Sequence, residues 1–447
     1  MNVCEPAHQG KLFETNPIAE VIGKMTLAMH SKIIPPKRAV LLYSGGLDTS
    51  VILHYMVHAL GYEVTTFTAN LGQRDLRSKE EIEQKAFASG ASRVIVNDLQ
   101  LRLVQDHILP CMCWDAKYAG NYHLCCSLAR PLTIQGAIEA VKDLSGEVIF
   151  SHGATGKGND QVRFELGAMA LRPGVEIFAP WKDKAFRKQF PGRDEMIAYA
   201  KRYNIPVSAT SKKPWSSDGN LSGETYEAGP LEDPNWNNYP EEMFKLGVSP
   251  KLAPNQELVI TIYFSQGIPV EVDGIEYGLI DIIKCLNELG GNNGIGRTDT
   301  TEWRRVGMKS RGVYEEPALH ILWKAYAALE RLTVSPDYLR IKDSLRSEFS
   351  RMVYFGEWFT PAMQALMPFG QVHNQYVTGD VTLRLYKGNC DVIGRSSPNS
   401  LYDSKVASMH EDNAEAYNQS DAKGYIQIVG LPLRVQATQG RDLRIRK

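Results

Sequence analysis

The sequence predicts an α/β protein: a parallel sheet flanked by helices, followed by a second domain of α+β type. Three observations lead there. From residue 38 to about 205, short apolar strands alternate with helical stretches. The stretch Val40-Leu41-Leu42-Tyr43-Ser44-Gly45-Gly46-Leu47-Asp48-Thr49-Ser50 reads as a strand, a glycine turn and a helix start. After about 207 the strict alternation stops, and strand pairs joined by tight turns mix with longer helices. At 447 residues the chain exceeds one ordinary core. It therefore divides into an N-terminal extension (1–36), a first domain (37–207) and a second (208–447).

In the extension, Ile18, Val21, Ile22, Met25 and Met29 fall on one helical face, and Pro35-Pro36 end any helix. Val40 to Tyr43 is the first strand. Glu63 to Thr68 is the second and leads into Ala69-Asn70-Leu71-Gly72-Gln73. Ser78-Lys79-Glu80-Glu81 is a capping box, and its helix runs to Gly90. Val94 to Val96 is a third strand, with a helix from about Leu128 to Val141 after it. Val148 to Phe150 and Val175 to Phe178 complete the strands, and Arg193 to Tyr203 is helical. Parallel strands of this kind are joined by helical crossovers, and ligands gather at their carboxyl ends.

Beyond 207, residues 211–255 are rich in Pro, Asn, Ser and Gly and read as loop. Leu258 to Phe264 turns at Ser265-Gln266-Gly267 and returns through Val270 to Val272. Asp273-Gly274 is a further turn. Ile280, Ile283, Leu286 and Leu289 mark a helix, and longer helices cover about 317–332 and 335–356. Val381 to Leu385 pairs with Asp391 to Ile393 across a turn at Lys387-Gly388-Asn389. The basic end, Arg441 to Lys447, reads as a solvated tail.

Composition narrows the function classes. Lysine plus arginine number 50 against 51 acidic residues, so nothing drives the bulk chain toward nucleic acid or an anionic membrane. No apolar run spans a bilayer, and no secretory signal pattern opens the chain. The expected setting is cytoplasmic, with no membrane and no nucleic-acid partner. Seven cysteines, an odd number, suit a reducing compartment. Cys111, Cys113, Cys125 and Cys126 crowd near His123, but not at zinc-knuckle spacings. They read as buried thiols, one of them near a pocket, and no metal site is expected.

The strand, glycine turn and helix start at 40–50 make an anion site. Backbone N–H groups and the positive end of a helix dipole converge there, beside the hydroxyls of Ser44, Thr49 and Ser50. A nucleotide phosphate is the expected anion, so the first domain is read as a parallel-sheet nucleotide-binding domain. A Walker A loop would place lysine directly after its glycines; here Asp48 opens the helix instead. A second glycine loop, Ser151 to Glu165, also follows a strand. It carries Asp160 and Arg163 three residues apart, on one face of a helix start. A carboxylate takes an ammonium and a guanidinium takes a carboxylate, so this pair suits an α-amino acid zwitterion. His152 reads as a structural donor. Arg297, Arg304, Arg305, Lys309 and Arg311 read as part pocket wall and part solvated face, and Tyr118 and Trp215 as packing.

SGGLDTS resembles the pyrophosphate loop of the N-type ATP pyrophosphatases, whose nucleotide domain is adenine nucleotide α-hydrolase-like. The segments YSGGLDTS, ANLGQ, SLARP, SHGATGKGNDQVRFE, APW, KPWS, YEAG, GIGR and GMKSRGVYE, in that order, resemble the argininosuccinate synthase family across residues 38 to about 435. The resemblance implies a ligase that joins L-citrulline to L-aspartate at the expense of ATP, with Mg²⁺, and releases AMP and pyrophosphate through a citrullyl-adenylate. It implies ATP contacts at Leu42, Tyr43, Ser44, Gly45, Gly46, Leu47, Asp48, Thr49, Ser50, Ala69 and Gly153. Aspartate contacts fall on Thr155, Asn159 and Asp160. Citrulline contacts fall on Tyr122, Ser127, Asn159, Arg163, Ser216, Thr225, Glu302 and Tyr314. Asp48, Ser44 and Arg163 are the expected catalytic residues, and a homotetramer is the expected assembly, with the C-terminal segment packing across subunits.

The chain departs from the family pattern in three places. Cys125-Cys126 stand where Gly-Thr is usual, Trp303 stands where asparagine is usual after the glutamate, and Arg305 replaces an apolar residue. A divergent relative joining another amine to a ureido-type substrate is the alternative. A tRNA-thiolating relative is another, and it would need a persulfide-carrying cysteine pair and an RNA-binding module.

Overall fold

The computed structural model describes residues 37–144, 147–207, 214–409, 417–442 and 444. The apolar face expected at Ile18 to Met29 lies outside the described residues, as does most of the basic tail.

The first sheet holds five parallel strands in the order β3-β2-β1-β4-β5. They are β1 (Arg38–Leu42), β2 (Glu63–Asn70), β3 (Arg93–Asp98), β4 (Val148–His152) and β5 (Glu176–Phe178). β1 sits at the centre, where Val40 and Leu41 are fully buried from both faces. The crossovers are α1 (Leu47–His58), α2 (Lys79–Ala88), α3 (Cys125–Ala140) and α4 (Asp160–Leu171), with α5 (Lys184–Gln189) and α6 (Arg193–Arg202) after β5. Ser78 and Glu81 form the expected reciprocal capping box on α2. α3 begins three residues earlier than its apolar pattern suggests, because Leu124, at φ 73°, turns the chain into it.

The second part carries two antiparallel sheets. One has the order β10-β9-β8-β13-β14: β8 (Leu258–Ser265), β9 (Ile268–Val272), β10 (Ile275–Glu276), β13 (Gly379–Tyr386) and β14 (Asn389–Ser396). The other has the order β11-β12-β7-β6: β6 (Ser216–Asn220), β7 (Gly223–Glu227), β11 (Arg297–Trp303) and β12 (Lys309–Glu315). This sheet corrects the reading of 211–255 as loop throughout. Ser216–Asn220 and Gly223–Glu227 lack apolar alternation, so their strand character arises from pairing: Thr225 lies opposite Tyr314 on β12. The helices are α7 (Leu279–Asn292), α8 (Pro317–Thr333), α9 (Pro336–Tyr354) and α10 (Pro361–Gln371), then α11 (Asp421–Val429) and α12 (Leu431–Thr438).

The largest apolar cluster crosses from β1, β2 and α3 to α7, α8, α9 and β13. At its middle Trp323 of α8 is fully buried and donates its indole N–H to the Ala116 carbonyl at 2.9 Å. The two halves therefore share one interior. Replacing Trp323 by alanine leaves a cavity and an orphaned carbonyl, a loss of about 3–5 kcal/mol. Urea unfolding followed by fluorescence and by circular dichroism is expected to show both halves giving way earlier and together.

Candidate active site

β1 and β4 are neighbours in register, with Leu42 opposite His152. Their next residues leave the sheet at the same edge, so the two glycine loops emerge side by side. Gly153 shows how close they come: a Cβ there would sit 3.0 Å from the Thr49 side chain. The two loops are therefore neighbours at one edge of the sheet.

The first loop is shaped for an anion. Gly45 takes φ +71°, a turn that a side chain would strain. No side chain caps α1, so the N–H groups of its first turn stay open to a ligand. Hydroxyls brace the loop from within. Tyr43 Oη meets Ser50 Oγ at 3.0 Å, Ser44 Oγ meets Thr49 Oγ1 at 3.1 Å, and Thr68 donates to the Tyr43 carbonyl at 2.7 Å. Leu42 and Leu47 anchor its two ends in the core, while Ser44 and Gly46 are exposed. Ala69 lies at the end of β2, the strand beside β1. Burial pushes the Asp48 carboxyl up, against the pull of the Arg193 charge.

Next to the loops lies a cavity of about 250 Å³. Its wall includes Tyr122, Gly153, Thr155, Asn159, Asp160, Arg163, Ser216, Thr225, Glu302 and Tyr314 from the sequence-predicted set. Ser127 lies behind this wall, fully buried, with no hydrogen-bond partner for its hydroxyl among the described residues.

At one end, Tyr314 donates to Glu302 at 3.0 Å, and the ring of Tyr122 stacks on that of Tyr314 at 3.8 Å. Gly312 makes this possible, because a Cβ there would lie 2.3 Å from Tyr314 Oη. Burial raises the Glu302 carboxyl, opposed by hydroxyl donors and by Arg163 and Arg304.

At the other end, Asp160 accepts from Arg163 at 2.8 Å and from Arg130 at 2.9 Å, and Arg130 also binds Asp218. Arg163 gives two further donors to the Tyr354 carbonyl, at 2.9 and 2.7 Å. Its guanidinium is thus held inside the network rather than left open. Gly356, at φ +79°, lets the end of α9 approach this closely: a Cβ there would meet the Arg163 backbone at 2.7 Å.

The tip of the β11–β12 hairpin straps the second glycine loop. The backbone N–H of Arg305 donates to Asn159 Oδ1 at 2.7 Å. Arg304 donates to the Lys157 carbonyl at 3.2 Å and pairs with Glu227 at 2.7 Å. His152 is a structural group, bonded to Glu165 at 3.0 Å and accepting from Ala154 N–H at 3.2 Å. The basic run splits between cavity wall (Arg304) and a surface pair (Arg305 with Glu357), but Arg311 is a structural group with a buried side chain, bonded to Asp299 and to the carbonyls of Asp233 and Trp236. Tyr118 packs by stacking on Tyr354 at 3.6 Å.

Sequence reasoning missed Arg130, Asp218, Glu227 and Tyr354, which all line the cavity. Arg130 stands in SLARP and Glu227 in YEAG, so their signal was present in motifs already noted. Tyr354 had none, because it arrives on a distant helix. The family departures also separate here. Cys126 lines the cavity, while Trp303 is 54% exposed and lies outside it.

The crowded cysteines do not gather around one point. Cys113 faces Asn374, Cys125 faces Thr225 and Cys126 faces Asp218. Burial pushes all four thiols up, and none is more than 8% exposed. Cys126, Asp160 and Asp218 alone approach metal-ligand spacing among the described residues, and the Arg130 guanidinium already bonds to all three.

Burial opposes ionisation of Asp160, but Arg130 and Arg163 outweigh it and hold the carboxyl at about 2, below its ordinary 3.8. A carboxyl depressed in this way contributes stability above its unfolded pKa, which is lost as pH falls through the folded one. Asp160→Asn is therefore expected to be less stable near neutral pH, since two buried guanidinium groups lose their partner. It is also expected to lose less stability than the parent between about pH 4 and pH 2. Urea midpoints measured across that range check both signs.

Two family models match the chain: the arginosuccinate synthase N-terminal HUP domain over residues 38–206, and the arginosuccinate synthase C-terminal domain over residues 215–436. A protein named argininosuccinate synthase from Rhodopirellula baltica is 45% identical over 400 residues, covering 90% of this chain and 98% of that one. Another of the same name, from Desulfitobacterium hafniense strain Y51, is 44% identical over 419 residues, covering 94% and 100%. With both halves matched and similarity running through both glycine loops and the cavity wall, the chain belongs to the argininosuccinate synthase family.

Proposed function

We propose that this chain is an ATP-dependent ligase that condenses L-citrulline with L-aspartate, giving argininosuccinate, AMP and pyrophosphate. The observation that carries the reading is the side-by-side emergence of the two glycine loops from β1 and β4 at the rim of the charged cavity. One loop offers open N–H groups for phosphates, and the other leads into paired charges for amino acids. The chain works as two units, 37–207 and 208–447, with the cavity walled by both.

ATP lies along Leu42–Ser50, with Ala69 and Gly153 at the adenosine side. Citrulline takes Tyr122, Asn159, Arg163, Ser216, Thr225, Glu302 and Tyr314, with Ser127 behind the wall rather than in contact. Glu302, held by Tyr314, is placed to receive its ammonium group. Aspartate takes Thr155, Asn159 and Asp160. The ureido oxygen attacks the α-phosphorus and pyrophosphate leaves. The aspartate amine then attacks the activated carbon, and AMP leaves with the ureido oxygen. No covalent enzyme intermediate is needed, so alignment and charge neutralisation supply the rate. Ser44 and the α1 N–H groups receive phosphate oxygens, and Arg163 fixes Asp160.

Magnesium would enter with the nucleotide. Asp48, a desolvated carboxylate at the head of the phosphate loop, offers a hard oxygen donor that fits an ion otherwise held by phosphates and water. That ion neutralises charge on the triphosphate.

The exposed apolar residues of α11 and α12, among them Tyr425, Ile426, Ile428, Leu431 and Leu433, support packing against other copies of the chain in a homotetramer. The six cysteines among the described residues are free and mostly buried, which suits a reducing, cytoplasmic setting. Nothing in the cavity favours a thiolating activity, since its thiols are buried and hydrogen-bonded.

Pyrophosphate release by the purified chain with ATP, citrulline and aspartate tests the reading; release only with a different amine donor would replace it with the divergent one. Gly312→Ala is expected to push Tyr314 off Glu302 and raise KM for citrulline about tenfold, equivalent to about 1.4 kcal/mol, with KM for ATP unchanged. Removal of residues 417–447 is expected to shift sedimentation from a tetramer to smaller species.

A further inference from the structure

The first glycine loop contains no cation, yet a triphosphate brings three or four negative charges to it. Among the loop's contacts, one basic side chain fills that gap. Lys85, on the second turn of α2, is 5% exposed, and its ammonium donates to the carbonyl of Gly45 at the bend of the loop. This uses one of its three donors. No carboxylate lies within ion-pair distance of it among the described residues, and the charge acting on it is the like charge of Arg77. Burial, with Arg77, draws its pKa down to about 8. A buried ammonium without a counter-ion is costly to keep, whereas a neutral side chain would hold one carbonyl as well. The arrangement makes sense when an anion completes it.

We propose that Lys85 is a phosphate-binding residue, contacting the β- and γ-phosphates of ATP and the pyrophosphate that departs. It takes from α2 the place that a Walker loop gives to its own lysine. This assignment rests on the Leu42–Ser50 loop being the ATP site. Arg77 adds to the positive field at the same spot.

The test is calorimetric binding of ATP, AMP and pyrophosphate, with Mg²⁺, to the full chain and to Lys85→Met, Lys85→Gln and Lys85→Arg. AMP lacks the phosphates in question, Gln keeps a donor for Gly45 without charge, and Arg keeps the charge. Met and Gln are expected to weaken ATP and pyrophosphate at least tenfold while AMP stays within twofold, and Arg is expected to restore most of the loss. Equal losses for AMP and ATP, or rescue by Gln as good as by Arg, would make Lys85 a loop support and overturn the assignment. So would unchanged ATP binding in all three variants. If Met does not fold, the Gln and Arg pair decides the matter alone. Neither citrulline nor aspartate is present, so failure of the condensation reaction leaves this result readable. A parent chain that binds none of the three ligands would instead remove the ATP reading and this assignment with it.

Discussion

The pairing of β1 with β4 is the constraint on which the site depends. Parallel strands in register end at one level, and whatever follows them must share one edge of the sheet. Leu42 opposite His152 therefore places the two glycine turns within side-chain contact. A slip of one residue in that register would point Leu42 to the other face and separate the loops. The buried apolar runs of β1 and β4 prevent it, because each residue has a place in the interior.

Charge in the cavity is arranged in two opposed groups. Arg130 and Arg163 clamp Asp160, and Arg130 reaches on to Asp218 and Cys126. Glu302 stands apart, raised by burial and steadied by Tyr314. Asp160, Asp218 and Glu227 are thus committed to guanidinium partners, whereas Glu302 is held by the Tyr314 hydroxyl. The simple expectation from sequence, Asp160 for an ammonium and Arg163 for a carboxylate, is modified by this network. These two first hold each other, and a substrate must join an existing set of bonds rather than meet two open charges.

Close backbone approach makes both groups. Gly312 gives Tyr314 its room and Gly356 brings α9 against Arg163. The β11–β12 hairpin adds a strap, since Arg305 and Arg304 tie its tip to Asn159 and Lys157. Of the departures from the family pattern, Cys126 alters the cavity wall directly. Trp303 lies on the outer side of the strap, under Lys309, and leaves the wall unchanged.

Sequence by itself determined the parallel sheet, its crossovers, the α2 capping box, both glycine loops and ten residues that line the cavity. These are local properties: apolar runs, caps, turn glycines and long motifs are written in neighbouring residues. Only the tertiary structure decided the β6–β7 hairpin, whose polar strands exist through pairing with β12. It alone brought Lys85 to Gly45, Arg130 to Asp160 and Asp218, and Tyr354 to Arg163. Those contacts join residues far apart in the chain, and a side chain's reach across a fold has no signature in its own neighbourhood of sequence.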